Sequence, residues 1–210
     1  MSVSSRVQPL GVAACPARGP LANPLVRDLA IVIAGVAFLA AMAQVSVTLP
    51  FSANRAGEPV PVTGQTFGVL LIAATLGLRR GLATVMTYLA VGGAGLPVFA
   101  GAGAGFGVLF TGATAGYLWG FLLAAAFIGS LADRGVDRGP WLLASLTVGH
   151  LLVYAAGLPV LALWMSNHGI PGSLLHAGLW PFIPGDLLKI AMVATLVPAG
   201  WAAFGAALRR

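Results

Sequence analysis

Apolar residues in this chain fall into long runs with almost no internal charge, separated by short clusters of glycine, proline and arginine. A helix needs about 20 apolar residues to cross the hydrocarbon of a bilayer, and against that length the pattern gives six segments. The first covers 29–49. Between 66 and 92 the interruption Gly77-Leu78-Arg79-Arg80-Gly81 leaves two pieces, 66–78 and 81–92, each short for a crossing. Together they read as a helical hairpin turning at the paired arginines. The remaining segments are 115–131, 141–156 with room to extend, and 185–208. No internal repeat or second domain is visible. The expectation is an all-α polytopic membrane protein of six transmembrane helices, with a cytoplasmic N-terminal segment over 1–28 and a membrane domain over 29–210.

Composition supports that class. Only 8% of the 210 residues are charged, 59% are hydrophobic, and the mean hydropathy is +0.95, whereas soluble domains carry about 25% charged residues. The net charge of +6 does not point to nucleic acid, because the basic residues stand in ones and twos and form no stripe interleaved with aromatics. Cys15 is the single cysteine, which rules out an internal disulfide or a Cys-x-x-Cys site. Val12-Ala13-Ala14-Cys15 has the look of a lipoprotein cleavage box, but polar residues and Pro9 stand where its apolar core belongs.

Charge placement sets orientation. If the six segments alternate, Arg6, Arg18, Arg27, Arg79, Arg80, Arg134, Arg138, Arg209 and Arg210 fall on one side and Arg55 alone on the other. The arginine-rich side is then cytoplasmic, both termini lie inside, and the long connections 50–65, 93–114 and 157–183 lie outside. Those connections carry Phe51, Phe99, Phe106, Trp164, Trp180 and Phe182, which suits loops packed as lids over a ligand pocket. In the middle one, "GGAGLPVFAGAGAGFG" lacks the spacing of a dinucleotide fingerprint. Irregular backbone at membrane depth needs protein or water to satisfy it, so this stretch is either a loop dipping over a cavity or a linker at the interface.

Lys189, the only lysine, belongs to neither aqueous face. It follows Asp186 by three residues in Pro184-Gly185-Asp186-Leu187-Leu188-Lys189, so the two side chains share a helix face. One account is ordinary: Asp186 suits the positive end of the helix and Lys189 reaches out to the interface. The other is a ligand site, because an ionisable pair facing the interior of a membrane bundle marks one by default. A carboxylate and an ammonium together suit a small ligand with urea-like donors and an anionic or carbonyl acceptor. Thr63, Gln65, Tyr88, Thr114, Tyr117 and Asn167 are polar residues expected at the same level, as further ligand contacts or as incidental caps and anchors. His150, His168 and His176 lack metal-site spacing, and no metal or cofactor is assigned. His150 falls within a span, where a hydrogen bond to a neighbouring helix explains it. Ala30, Ala34, Ala37 and Ala41 share one face of the first segment, and small residues so spaced let another helix approach closely.

Several stretches together are similar to one family. Pro59-Val60-Pro61-Val62-Thr63-Gly64-Gln65-Thr66-Phe67-Gly68-Val69-Leu70, Leu89-Ala90-Val91-Gly92-Gly93-Ala94-Gly95-Leu96-Pro97-Val98-Phe99, the glycine loop, Gly116-Tyr117-Leu118-Trp119-Gly120-Phe121 and Ile183-Pro184-Gly185-Asp186-Leu187-Leu188-Lys189 resemble the BioY family, the biotin-specific membrane subunits, or S components, of energy-coupling-factor vitamin transporters. The similarity spans about 58–200. It departs where the family's Gly-Pro-Thr-Gly-Gly-Tyr reads Gly112-Ala113-Thr114-Ala115-Gly116-Tyr117, and where Gly64 replaces a common leucine. The resemblance implies a six-helix fold with an external vitamin pocket, a biotin site that includes Asp186 and Lys189, and a transmembrane coupling subunit with two cytoplasmic ATPases as partners, docked on the alanine face of the first helix. It thereby implies high-affinity capture and uptake of biotin across the cytoplasmic membrane. The chain itself has no nucleotide-binding motif, and its residues form no Ser/His or paired-carboxylate constellation of an enzyme. The alternative is an ion-coupled secondary carrier that uses Asp186 as a proton relay.

Overall fold

The computed structural model describes residues 8–15, 19–53 and 59–207. The arginines at 6, 18, 55, 209 and 210 lie outside them. A short helix α1, Leu10–Ala14, precedes α2, Pro24–Gln44. Pro24 is pre-set for the first helical turn, and Asn23 caps it by accepting the Leu25 N–H on Oδ1 at 2.9 Å. The helix therefore starts inside the segment read as 1–28.

It also ends earlier than the apolar run. Val45-Ser46-Val47-Thr48 is rich in β-branched residues, which favour extended backbone, and the chain leaves α2 at Gln44 to form β1, Ser46–Ala53. β1 pairs antiparallel with β2, Pro59–Thr63, in the register Ser46 to Thr63, Val47 to Val62 and Thr48 to Pro61. The expected span over 29–49 is corrected here to Pro24–Gln44, and within a mostly helical fold the first long connection contains a two-stranded ribbon. The Gly64 N–H donates to the Val45 carbonyl at 2.8 Å, closing the ribbon beside the end of α2.

Helix α3, Gln65–Gly93, is broken at Gly77, whose φ of 75° and ψ of −174° are not helical. Such a φ favours glycine. The chain doubles back there: a Cβ on Gly81 would lie 3.3 Å from the Ala73 Cα, and Gln65 Nε2 donates to Tyr88 Oη at 2.7 Å across 23 residues. In one straight helix those two residues would stand about 35 Å apart. The expected hairpin is present, with its turn at Gly77 just ahead of the arginines. The Leu78 N–H, freed by the reversal, donates to Asp133 Oδ2 at 3.2 Å.

Helix α4 covers Ala115–Ala132, α5 Trp141–Asn167, α6 Leu174–Gly178 and α7 Ile183–Ala207. Extension of α5 through Gly157 and Pro159 shortens the last long connection and places a helix, α6, within it. Proline is tolerated inside such a helix because neighbouring groups satisfy the backbone it frees. Five helices, α2, α3, α4, α5 and α7, are long and apolar enough to cross a membrane, with α3 folded on itself.

The core joins both arms of α3 to α4, α5 and α7 through buried side chains such as Leu70, Tyr88, Ile128, Leu146 and Val193. Large apolar side chains on the outer faces, among them Leu29, Ile33, Leu151, Leu163 and Met192, are exposed, as a surface solvated by lipid requires. Polar contacts gather at the Gly77 end. Arg80 Nε pairs with Asp28 Oδ1 at 2.7 Å. Asp137 is fully buried and accepts the Trp201 indole N–H at 2.7 Å. The Arg138 guanidinium lies 3.8 Å over the Trp201 ring and donates to the Gln8 carbonyl at 2.9 Å. These bonds tie the α1 segment and the turn after α4 to α7.

Candidate functional site

The opposite half of the bundle encloses a cavity of about 410 Å³, within the usual size range of small-molecule sites. Its walls come from the first turns of α3, α4 and α7 and from α5 beyond His150, with Phe99 and Ala100 of the glycine loop and Ala177 and Gly178 of α6 completing them. Most of the lining is apolar. Thr66, His150, Tyr154, Asp186 and Lys189 form one bonded polar cluster in the wall.

Asp186 anchors that cluster. It is 5% exposed, while the next residues, Leu187 and Leu188, are 63% and 62% exposed on the opposite face of α7. A one-turn repeat thus separates an inward ionic face from an outward lipid face. Asp186 Oδ1 accepts from Lys189 Nζ at 3.0 Å, and Oδ2 receives the Tyr154 hydroxyl and His150 Nε2 at 3.0 Å. Lys189 Nζ also donates to Thr66 Oγ1 at 2.9 Å. Lys189 therefore turns into the bundle and does not reach for the interface. An ammonium has three N–H donors and a carboxylate about four lone-pair sites. Bonds among the described residues occupy two of these donors and three of these acceptor sites, leaving one of each.

The residues expected from the sequence divide. Asp186, Lys189, Thr63, Gln65, Thr114 and Tyr117 line the cavity. Tyr88 does not: fully buried behind the wall, it accepts from Gln65 and donates to the Val98 carbonyl at 2.9 Å. It supports the site from one layer back. Asn167 also does not, because the extended α5 carries it to an exposed position at the helix end. Tyr117 lines the wall while its hydroxyl donates to the Gly178 carbonyl at 2.9 Å, fixing α6 over the cavity. The sequence reading missed Thr66, His150 and Tyr154 as lining residues. His150 does bond to a neighbouring helix as expected, but its partner is Asp186. Its spacing of four from Tyr154 was the available signal, since it stacks both on one face of α5.

Ala30, Ala34, Ala37 and Ala41 are all exposed along α2. The same helix buries only Gly35, Leu39 and Ala43 in its own bundle.

Fold and site together define a multi-pass membrane protein built around one mostly apolar chamber with a buried ionic cluster. The model of the BioY family matches residues 11–206, and the chain belongs to that family. It is 41% identical over 138 residues to a biotin transporter BioY of Thermotoga maritima, covering 66% of this chain and 79% of that one. It is 39% identical over 148 residues to a biotin transporter BioY of Rhodobacter capsulatus, covering 65% and 76%. The crystal structure of the S-component for biotin from an ECF-type ABC transporter superimposes with a TM-score of 0.68 at 25% identity, covering 84% of this chain and 92% of that one.

Proposed function

We propose that this chain captures biotin with high affinity and serves its uptake across the cytoplasmic membrane as the substrate-specificity subunit of an energy-coupling-factor transporter. The observation that carries the reading is the Asp186–Lys189 pair, held inside a chamber of about 410 Å³ with one donor and one acceptor site left over. Biotin offers complementary groups. Its ureido N–H meets the Asp186 carboxylate, a ligand oxygen meets the Lys189 ammonium, and its rings and tail lie among Phe99, Leu118, Phe121 and Phe182. Such a division, an apolar wall with a few fixed polar contacts, is how small-molecule sites gain both affinity and orientation.

In this reading the two arms of α3 count as two crossings, giving six, and the Gly77 end with Arg79, Arg80, Arg134 and Arg138 faces the cytoplasm. The chamber then opens toward the exterior. The protein performs no bond chemistry. Its partners are a transmembrane coupling subunit, which packs against the exposed alanine face of α2, and cytoplasmic ATPases that supply the energy.

Uptake of radiolabelled biotin into proteoliposomes tests this against an ion-coupled carrier. The proposed function requires the partner subunits and internal ATP. Accumulation driven by a pH gradient across membranes holding this chain alone would overturn it.

A further inference from the structure

The glycine loop at the chamber is held from outside by a residue that does not line the chamber. Gln44, the last residue of α2, donates through Nε2 to the Phe99 carbonyl at 2.9 Å, and its Oε1 accepts the Ala102 N–H at 3.0 Å. One amide thus clasps both ends of a four-residue turn, which is also closed by the Phe99 N–H donating to the Gly103 carbonyl at 3.0 Å. Gly101 and Ala102 sit at φ values of 63° and 58°, and Ala102 is the one non-glycine residue with positive φ among the described residues. That conformation is disfavoured for a residue with a Cβ and persists where surrounding contacts over-determine it. The clasp of Gln44 is such a contact.

The turn is also tied to the ligand side. Phe99 is buried, lines the chamber, and packs edge-on against Tyr88 with ring centroids 5.4 Å apart. Tyr88 donates to the Val98 carbonyl and accepts from Gln65, which lines the chamber. A continuous chain of bonds therefore runs from the chamber through Gln65, Tyr88 and the 98–102 turn to Gln44 on α2.

We propose that Gln44 is a positioning residue that latches the glycine loop shut over the bound ligand and couples that loop to α2. The inference rests on the biotin-binding reading. It goes further by making residence time of the ligand depend on a side chain outside the binding surface. Changes in affinity within one site fall mostly on the dissociation rate, so loosening the turn is expected to show there more than in the association rate.

The test uses the full chain in detergent or nanodiscs with biotin as the probe, comparing wild type with Gln44→Met, which keeps length and helix propensity but has no amide. The expected result is a dissociation rate roughly tenfold faster, from the loss of two hydrogen bonds, with the association rate changed less than twofold. A dissociation rate within twofold of wild type overturns the proposal. Hydrogen exchange in the wild-type complex is a second arm independent of the variant: the Ala102 amide is expected to exchange at least tenfold below the rate of an unstructured chain, and exchange at the unstructured rate overturns the latch. Failure of the wild type to bind biotin at all would instead sink the functional reading.

Discussion

Replacing Asp186 with asparagine changes one atom and leaves the shape of the site intact. The carboxylate accepts from Lys189 on one oxygen and from Tyr154 and His150 on the other. In the amide one of those oxygens becomes an NH2 that cannot accept. If it faces Lys189, the ammonium, whose side chain is 12% exposed, keeps only Thr66 as a partner. If it faces Tyr154 and His150, two donors oppose a third. Removing one member of a buried ion pair costs about 3–5 kcal/mol in general, and part of that falls on the unliganded fold. On the ligand, loss of a charge-assisted hydrogen bond is worth about 1.5–3 kcal/mol, which converts to roughly 10–150-fold in the dissociation constant. Isothermal titration with biotin gives the affinity, and thermal unfolding with and without biotin separates the two costs, because only the binding loss shrinks the ligand-induced rise in midpoint. An Asp186→Asn protein that binds biotin within twofold of wild type would refute the assignment of the carboxylate to the ligand.

Two further outcomes follow from other parts of the molecule. Burial holds the Asp137 carboxyl above its ordinary range, against the opposing effect of the Trp201 indole, Arg138 and the Leu10 N–H. A carboxyl whose pKa is raised by folding stabilises the folded state fully below its unfolded value, near about 4, and that contribution is lost as pH rises through the folded value. Acidification from neutral pH is therefore expected to stabilise the fold through this group, read as a rise in the thermal unfolding midpoint. Asp137→Asn should abolish that dependence. On α2, Ala37→Trp fills the exposed small-residue face and is expected to leave biotin affinity within twofold while abolishing co-purification of the coupling subunit; retained co-purification would move the docking surface elsewhere.

The long apolar segments were legible because lipid-facing helices must be apolar over a fixed length, and the hairpin was legible because Gly77 and two arginines interrupt such a run at half that length. The ends were harder. Val45, Val47 and Leu49 are as apolar as the residues of α2, so hydropathy alone carried the first span into β1, although the β-branched run marked extended backbone. Gly157 and Pro159 look like a stop in a soluble helix, but a bundle can satisfy the freed groups, and α5 continued through them to Asn167. In the site, Asp186 and Lys189 stood out because charge is rare in this chain. His150 and Tyr154 did not, because only the packing of α5 against α7 shows that their shared face meets Asp186. Gln44 ends α2, and nothing in its neighbours announces that a loop 55 residues later will lie against it.

The central claim is that the inward ionic pair and the chamber beside it hold biotin. Mass spectrometry of small molecules released from the wild-type protein, purified in detergent from cells supplied with biotin, thiamin and riboflavin together, tests it most directly. The account predicts biotin at close to one equivalent per chain and its loss from the Asp186→Asn protein. Recovery of thiamin or riboflavin in its place, or of biotin in equal amount from both proteins, would contradict it.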